Sequence, residues 1–365
     1  MKKFNANTMA VFSSMNTNYE EMNNLMQDFA LGREIYDAES DRRISKAEAN
    51  AKILDFSRKV LGITDPKDAV EVRRSVRDNG RQWFDIIEDT VDVAVSVGIK
   101  ENDWFNELVE TKTINYHDRQ DYWLTEEDAI LMVAKAGTSH HDHTPQRLAA
   151  GQPITIPTEL YVVKVTADIN RFIAGQEDWN KLIEAITKAY IKEIQTQVYG
   201  QIAVAVSQLP ANFKKTGNLI KAQLDSIIDN VSMANDGAEV VLMATRAGIT
   251  EINNIANVQY ISDFQKDNYA NTGSIGIYEG CRIVPIPNRF ADKSLSTKAF
   301  ADQILIMPVI GEGGRFIKLI EEGGTEISEV LERNEKYISD LRTYEVQRRM
   351  GVGVVLGKKF GSWVL

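Results

Sequence analysis

The chain has 365 residues, of which 43% are hydrophobic and 26% charged, enough to build a full core and more than one subdomain of an ordinary globular protein. Its formal net charge of −10 disfavours electrostatic wrapping of nucleic acid. The single cysteine, Cys281, excludes an internal disulfide framework and fits a reducing compartment. The polar start after Lys2-Lys3 and the lack of any apolar run near about 18 residues argue against a secretory leader or a membrane span.

Residues 1 to about 14 read as a loose arm rich in Asn, Ser and Thr. Helices are expected from Tyr19 to Arg33 and from Lys46 to Leu61, the second closed by Gly62. Asp65-Pro66 is expected to start another, running to Arg77 and broken at Asn79-Gly80. Arg81 to Val97 is then helical, with Trp83, Phe84, Ile87, Val91 and Val95 as its buried face. The period changes near Glu110. Thr111 to Tyr116, Tyr122 to Leu124 and Ala129 to Ala134 read as short strands. A run of Gly, Pro, Thr and His follows, from Gly137 to Pro157. Glu159 to Ala167 is rich in β-branched residues and strand-like. Strand, long polar loop, strand describes an extended hairpin leaving the body.

The stretch from Gln176 to Ser207 is the longest periodic one. Trp179, Leu182, Ile183, Ile186, Tyr190, Ile194, Val198 and Ile202 fall on one face of a 3.6-residue helix, and Lys181, Glu184, Lys188, Lys192 and Gln195 on the other. Its end, Ile202 to Val206, is apolar all round and is expected to be buried on every side. Beyond Pro210 the pattern becomes α/β. Leu219 to Val231 and Arg246 to Ile255 read as helices, and Ala238 to Met243 as a buried strand. Ser274 to Tyr278 and Arg282 to Pro285 form a hairpin turned at Glu279-Gly280. Gln303 to Met307, Arg315 to Ile320 and a long strand from Thr343 to Leu356 complete the chain.

No convergent catalytic set emerges. His140-His141-Asp142-His143 holds three of the four histidines, but neighbours in an extended loop point to opposite sides. No His-Glu-x-x-His or paired-cysteine motif supplies further ligands, so the loop reads as a polar tip that touches water or a neighbour rather than a metal site. A metal-dependent hydrolase built on this loop is the rival reading from another class. Gly351-Val-Gly353 to Gly357 lacks the helix and second strand that a dinucleotide fingerprint requires, and reads as a glycine-bearing strand. Cys281 reads as a small buried thiol. Glu126-Glu127 and Glu321-Glu322 read as solvated turns. No cofactor, metal or catalytic residue is assigned.

Three stretches resemble a known family in their order. Ala167-Asp-Ile-Asn-Arg-Phe leading into Trp179-Asn-Lys-Leu-Ile resembles a passage from extended loop to spine helix. Tyr278-Glu-Gly-Cys-Arg-Ile-Val-Pro-Ile-Pro-Asn288 resembles a hairpin whose Gly turn precedes an apolar strand ending in Pro. Tyr344-Glu-Val-Gln-Arg-Arg-Met-Gly-Val-Gly-Val-Val355 with Lys359-Phe-Gly resembles a closing strand. Together, over roughly residues 105 to 365, they resemble the tailed-bacteriophage major capsid proteins of the Hong Kong ninety-seven type.

That resemblance implies an α+β phage major capsid fold with an N-terminal helical arm, an extended β-hairpin loop, a peripheral domain with a long spine helix and an α/β axial domain. The implied divisions are 1–104 (helical arm or scaffolding-like segment), 105–170 (strands and extended hairpin), 171–210 (spine), 211–340 (axial domain with intervening peripheral strands) and 341–365 (C-terminal strand). It implies a structural protein that assembles with copies of itself as hexamers and pentamers around double-stranded DNA, without sequence-specific binding and without a membrane. Portal and scaffold or protease proteins are implied partners, and the virion, assembled in the host bacterial cytoplasm, is the implied location. Gly137, His140, His141, His143, Pro145, Arg147 and Gln152 of the extended loop are the expected inter-subunit contacts. An encapsulin nanocompartment, with the same fold and an enzyme cargo, is the alternative.

Overall fold

The computed structural model describes residues 9–10, 19–37, 42–124, 152–167, 173, 175, 179–256, 262–291, 294–309, 311, 314–330, 342–355 and 358–365. The first element is helix α1 (Tyr19–Leu31), followed by the short antiparallel pair β1 (Ile35–Asp37) and β2 (Arg42–Ile44). Helix α2 (Lys46–Leu61) is bounded as its caps dictate. Ser45 and Glu48 form a capping box, and Gly62 closes the helix in the left-handed region at φ 72°.

Helix α3 (Ala69–Lys100) corrects the expectation of two helices broken at Asn79-Gly80, because it runs unbroken for 32 residues. Asp68, not Pro66, caps its start by accepting the N–H groups of Val70 and Glu71. Asn79 faces α2 and donates to the Leu61 carbonyl at 2.9 Å, and Gly80 packs between Val76 and Phe84. Tertiary contact outweighs the roughly 1 kcal/mol helix penalty of a glycine.

A short helix α4 (Asp103–Leu108) leads into β3 (Val109–Ile114) and β4 (Asp121–Leu124). Then come β5 (Gln152–Thr155), β6 (Glu159–Ala167) and the spine α5 (Trp179–Ser207). Ile183, Ile186, Tyr190, Ile194, Val198 and Ile202 are buried along the spine, as its period requires, while Lys181, Lys188 and Lys192 are exposed. Its last turn departs from expectation. Ala205 and Val206 are buried but Val204 is 51% exposed, because the core covers only one side of the helix there. The side chain of Trp179 lies outside the described residues, as does the expected strand from Ala129 to Ala134.

The remaining elements are β7 (Lys214–Thr216), α6 (Lys221–Ala234), β8 (Val240–Ala244), α7 (Arg246–Ile255), α8 (Asp263–Thr272), β9 (Ile277–Tyr278), β10 (Cys281–Pro285), β11 (Gln303–Pro308), β12 (Ile317–Val330), β13 (Arg342–Val354) and β14 (Gly361–Val364). The expected hairpin at Glu279-Gly280 is present as β9–β10, with both turn residues at positive φ. Six strands form a mixed sheet in the order β7-β14-β11-β8-β10-β9. Every residue of β8 and β11 is buried, because α6 and α7 cover one face while Trp104, Tyr199 and Phe300 fill the other.

A four-stranded sheet, β3-β12-β13-β6, lies against α3 and the spine. Its β12–β13 ladder is interrupted by a bulge between Glu322 and Glu326, where Gly323 turns at φ 68°. Helices α1 and α3 pack on the spine within the same apolar cluster that holds Val346 and Leu319. Tyr190 of the spine donates to the Val346 carbonyl at 2.6 Å, and burial pushes its phenol up to about 12.

Candidate functional site

Like the short β1–β2 pair, the β4–β5 ribbon has no place in either larger sheet. Asp121 pairs with Thr155 and Leu124 with Gln152, so the two strands leave the body side by side and are joined by residues 125–151. Gly137, His140, His141, His143, Pro145 and Arg147 lie outside the described residues. Gln152 opens β5 opposite Leu124, at the point where the ribbon passes into that segment.

The root of the ribbon is fixed by charges within apolar packing. Lys318 of β12 is buried, pairs with Glu110 of β3, and places its ammonium 5.2 Å from the centre of the Tyr122 ring. Thr155 donates to Asp121 at 2.5 Å, which holds that carboxyl below its ordinary range, and Arg119 bonds both residues. Glu322 accepts the hydroxyl of Thr158 and the His117 N–H, so its carboxyl is likewise held down.

Beyond β5 the chain crosses β13 at its two glycines. A Cβ on Gly353 would lie 2.7 Å from Ile156, and one on Gly351 would strike the Pro157 carbonyl. The glycines of the Gly351-Val-Gly353 run therefore serve a close backbone approach. They let Ile156 bury against Ile320 and Val355 beneath the ribbon.

On the inner face of the same sheet, Arg348 is 2% exposed. Its guanidinium donates to Asp92 of α3 at 2.7 Å, to Thr325 at 3.1 Å and to Glu321 at 2.6 Å. One turn back on α3, Glu88 accepts the Ile327 N–H at 2.6 Å just beyond the bulge. Burial, together with Asp85, Glu326 and Asp89, raises Glu88 to about 7. The pair Glu321-Glu322 is thus corrected: both are buried within β12, at 3% and 6% exposure, not in a solvated turn. The signal for this network lay in parity. Tyr344, Val346, Arg348 and Met350 share one face of a strand, and a charge on an apolar face must find partners.

Among the described residues no group of three or more His, Cys, Asp or Glu side chains could hold a metal ion, and no helix is long and apolar enough to cross a membrane. Cys281 is buried in β10, and burial pushes its thiol up.

A mixed α+β subunit with a long spine and a ribbon pinned at its root fits a capsid protein, a structural class. A family model described as "SPbeta prophage-derived putative capsid protein YonB" matches residues 21–364, and the chain belongs to that family. No curated protein sequence matches it. Among solved structures it is similar to the mature capsid of bacteriophage PhiM1 (13% identity, 72% of this chain and 87% of that one, TM-score 0.49). It is also similar to Microbacterium phage Oxtober96 (12%, 70% and 89%, 0.45) and to a virus-like particle from Pyrococcus furiosus (11%, 75% and 98%, 0.42).

Proposed function

We propose that this capsid protein closes into an icosahedral shell of hexamers and pentamers around double-stranded DNA, within a virion assembled in the host bacterial cytoplasm. The observation that supports this reading is the β4–β5 ribbon, whose strands, among the described residues, pair only with each other while its root is fixed by Lys318, Tyr122 and Ile156. The loop from Gly137 to Gln152 is poor in apolar side chains and cannot make a core of its own, so its stability is expected to come from lying across the adjacent subunit. Gly137, His140, His141, His143, Pro145, Arg147 and Gln152 are the proposed contacts. Permanent interfaces commonly bury about 2,000 Å² or more, and several per subunit would sum to a stable lattice.

Residues 1–104 serve in this reading as an arm or as a scaffolding-like segment, with the divisions at 105, 171, 211 and 341 marking hairpin, spine, axial domain and closing strand. Portal and scaffold or protease proteins act as assembly partners. The prophage capsid family favours a genome over the enzyme cargo of an encapsulin. Deleting Ser139 to Gly151 is expected to leave a folded chain that no longer sediments as closed particles. Normal shells from that deletion would remove the loop from assembly.

A further inference from the structure

Two stretches of α3 carry opposite charge. In its middle Asp85, Glu88, Asp89 and Asp92 cluster, with Glu88 and Asp92 bonded to β12 and β13; toward its N-terminus Arg73, Arg74, Arg77 and Arg81 are all exposed. The acids near this basic end are already engaged. Asp65 accepts the Lys67 N–H at 2.9 Å, and Asp68 accepts the Val70 N–H at 2.9 Å. Glu71 accepts the N–H groups of Thr64 and Asp65 at 2.6 and 3.3 Å, and Asp78 pairs with Arg77 at 3.2 Å. Arg73, Arg74 and Arg81 have no ion-pair partner among the described residues. On a chain of net charge −10, this is a cluster of exposed guanidinium groups, three of them without an ion-pair partner among the described residues.

Arg73, Arg77 and Arg81 recur every four residues, about 6 Å apart along the helix axis. Every member of the row is an arginine, whose planar fork suits phosphate or carboxylate. A row of evenly repeated cations fits an anion that also repeats, and phosphate recurs at every nucleotide, whereas a protein partner would have to array its carboxylates to match. The groove of about 940 Å³ beside the row is lined by Asp85, Glu88 and Glu326 as well as by the arginines, and those carboxylates disfavour entry of a phosphate backbone.

We propose that the row Arg73, Arg74, Arg77 and Arg81 is a contact for the phosphate backbone of the enclosed nucleic acid; this rests on the reading that the shell holds double-stranded DNA. The contact is small and salt-sensitive, compatible with a wall along which DNA moves. About four neutralised phosphates give a log–log salt slope of about −3 to −4.

The test titrates the full-length chain into a labelled random-sequence duplex across a range of NaCl. The triple variant Arg73→Gln, Arg74→Gln, Arg81→Gln is expected to bind at least about tenfold more weakly at low salt, with the slope falling to about −1. A control with the same loss of charge at Lys192, Lys215 and Arg246 is expected to stay within about twofold of wild type, since non-specific binding counts local phosphate contacts. Equal loss in both variants, or no duplex binding by the wild type, overturns the proposal. So does row-dependent capture of polyglutamate in preference to DNA, which assigns the row to an acidic protein partner.

Should the triple variant misfold, Arg73→Lys, Arg74→Lys, Arg81→Lys is expected to keep the slope; losing it also overturns the proposal. Nuclease-protected DNA in purified wild-type shells tests enclosure separately. Shells that protect DNA while the row variant binds like wild type leave the enclosure reading standing and sink this one.

Discussion

The two larger sheets are held by different forces. The six-stranded sheet is buried on both faces at its central strands β8 and β11, and its closing strand β14 sets Trp363 in the apolar cluster with the indole donating to the Gly217 carbonyl at 2.7 Å. Gly361, where a Cβ would lie 2.5 Å from Ile227, lets that strand reach α6. The four-stranded sheet carries charges inside it: Arg348 with Asp92 and Glu321, and Lys318 with Glu110. Apolar packing is non-directional and tolerant of small shifts, whereas a buried ion network is satisfied only at one geometry. The sheet that aims the ribbon is the one built on the directional force.

The largest effects should come from breaking each sheet by its own means. Arg348→Met strands two carboxylates near or within the core and is expected to cost about 3–5 kcal/mol, read as a shift in denaturant midpoint. Replacing Arg348, Asp92 and Glu321 together by apolar residues should restore much of that loss. A single variant costing under about 1 kcal/mol would show that the network does not hold the sheet. Trp363→Ala is expected to cost a similar 3–5 kcal/mol through cavity formation, with little dependence on added salt.

Gly351→Ala sharpens the contrast at the ribbon root. Overpacking against the Pro157 carbonyl should cost about 1–3 kcal/mol, and amide exchange should rise in β4 and β5 while β8 and β11 stay protected. Uniform loss of protection would mean that the glycines serve the whole sheet and not the crossing.

The smallest expected effect is a pH dependence. Glu88 is raised from 4.5 to about 7, so between those values the folded chain holds a proton that the unfolded chain has released. The stabilisation from this group is complete below pH 4.5 and is lost as pH rises through 7. Glu88→Gln should therefore be the more stable form at pH 8 by about 1 kcal/mol, discounted for partial exposure, and the difference should shrink at pH 5. An unchanged difference across that range would place the cause elsewhere than in titration.

Local signals and long-range pairing divide what was legible. The Gly62 stop, the spine's period and the Glu279-Gly280 turn were readable because each is decided within a few residues. The continuity of α3 was not, because Asn79 is held by the Leu61 carbonyl of another helix. Strands β7 and β14 are 3 and 4 residues long and exist only as partners of one another and of β11. Of the expected contact residues Gln152 alone falls among the described ones, while Lys318, Arg348, Glu321 and Gly351 went unread as parts of the ribbon's anchorage. Their partners are far away in sequence, which composition and spacing cannot report.

Sequence by itself determined the class of element at most positions and, through the order of those elements, the capsid resemblance, since periodicity and turn chemistry act over one or two turns of chain. Tertiary structure alone decided which charges go inside, where α3 continues and why β13 needs glycine at 351 and 353. Those outcomes depend on atoms brought together from different elements, from Asn79 against Leu61 of a neighbouring helix to Arg348 against Asp92 and Gly351 against Pro157, the last two pairs more than 150 residues apart. Desolvation and steric exclusion act on whatever is adjacent in space, and adjacency in space is a property only the folded chain has.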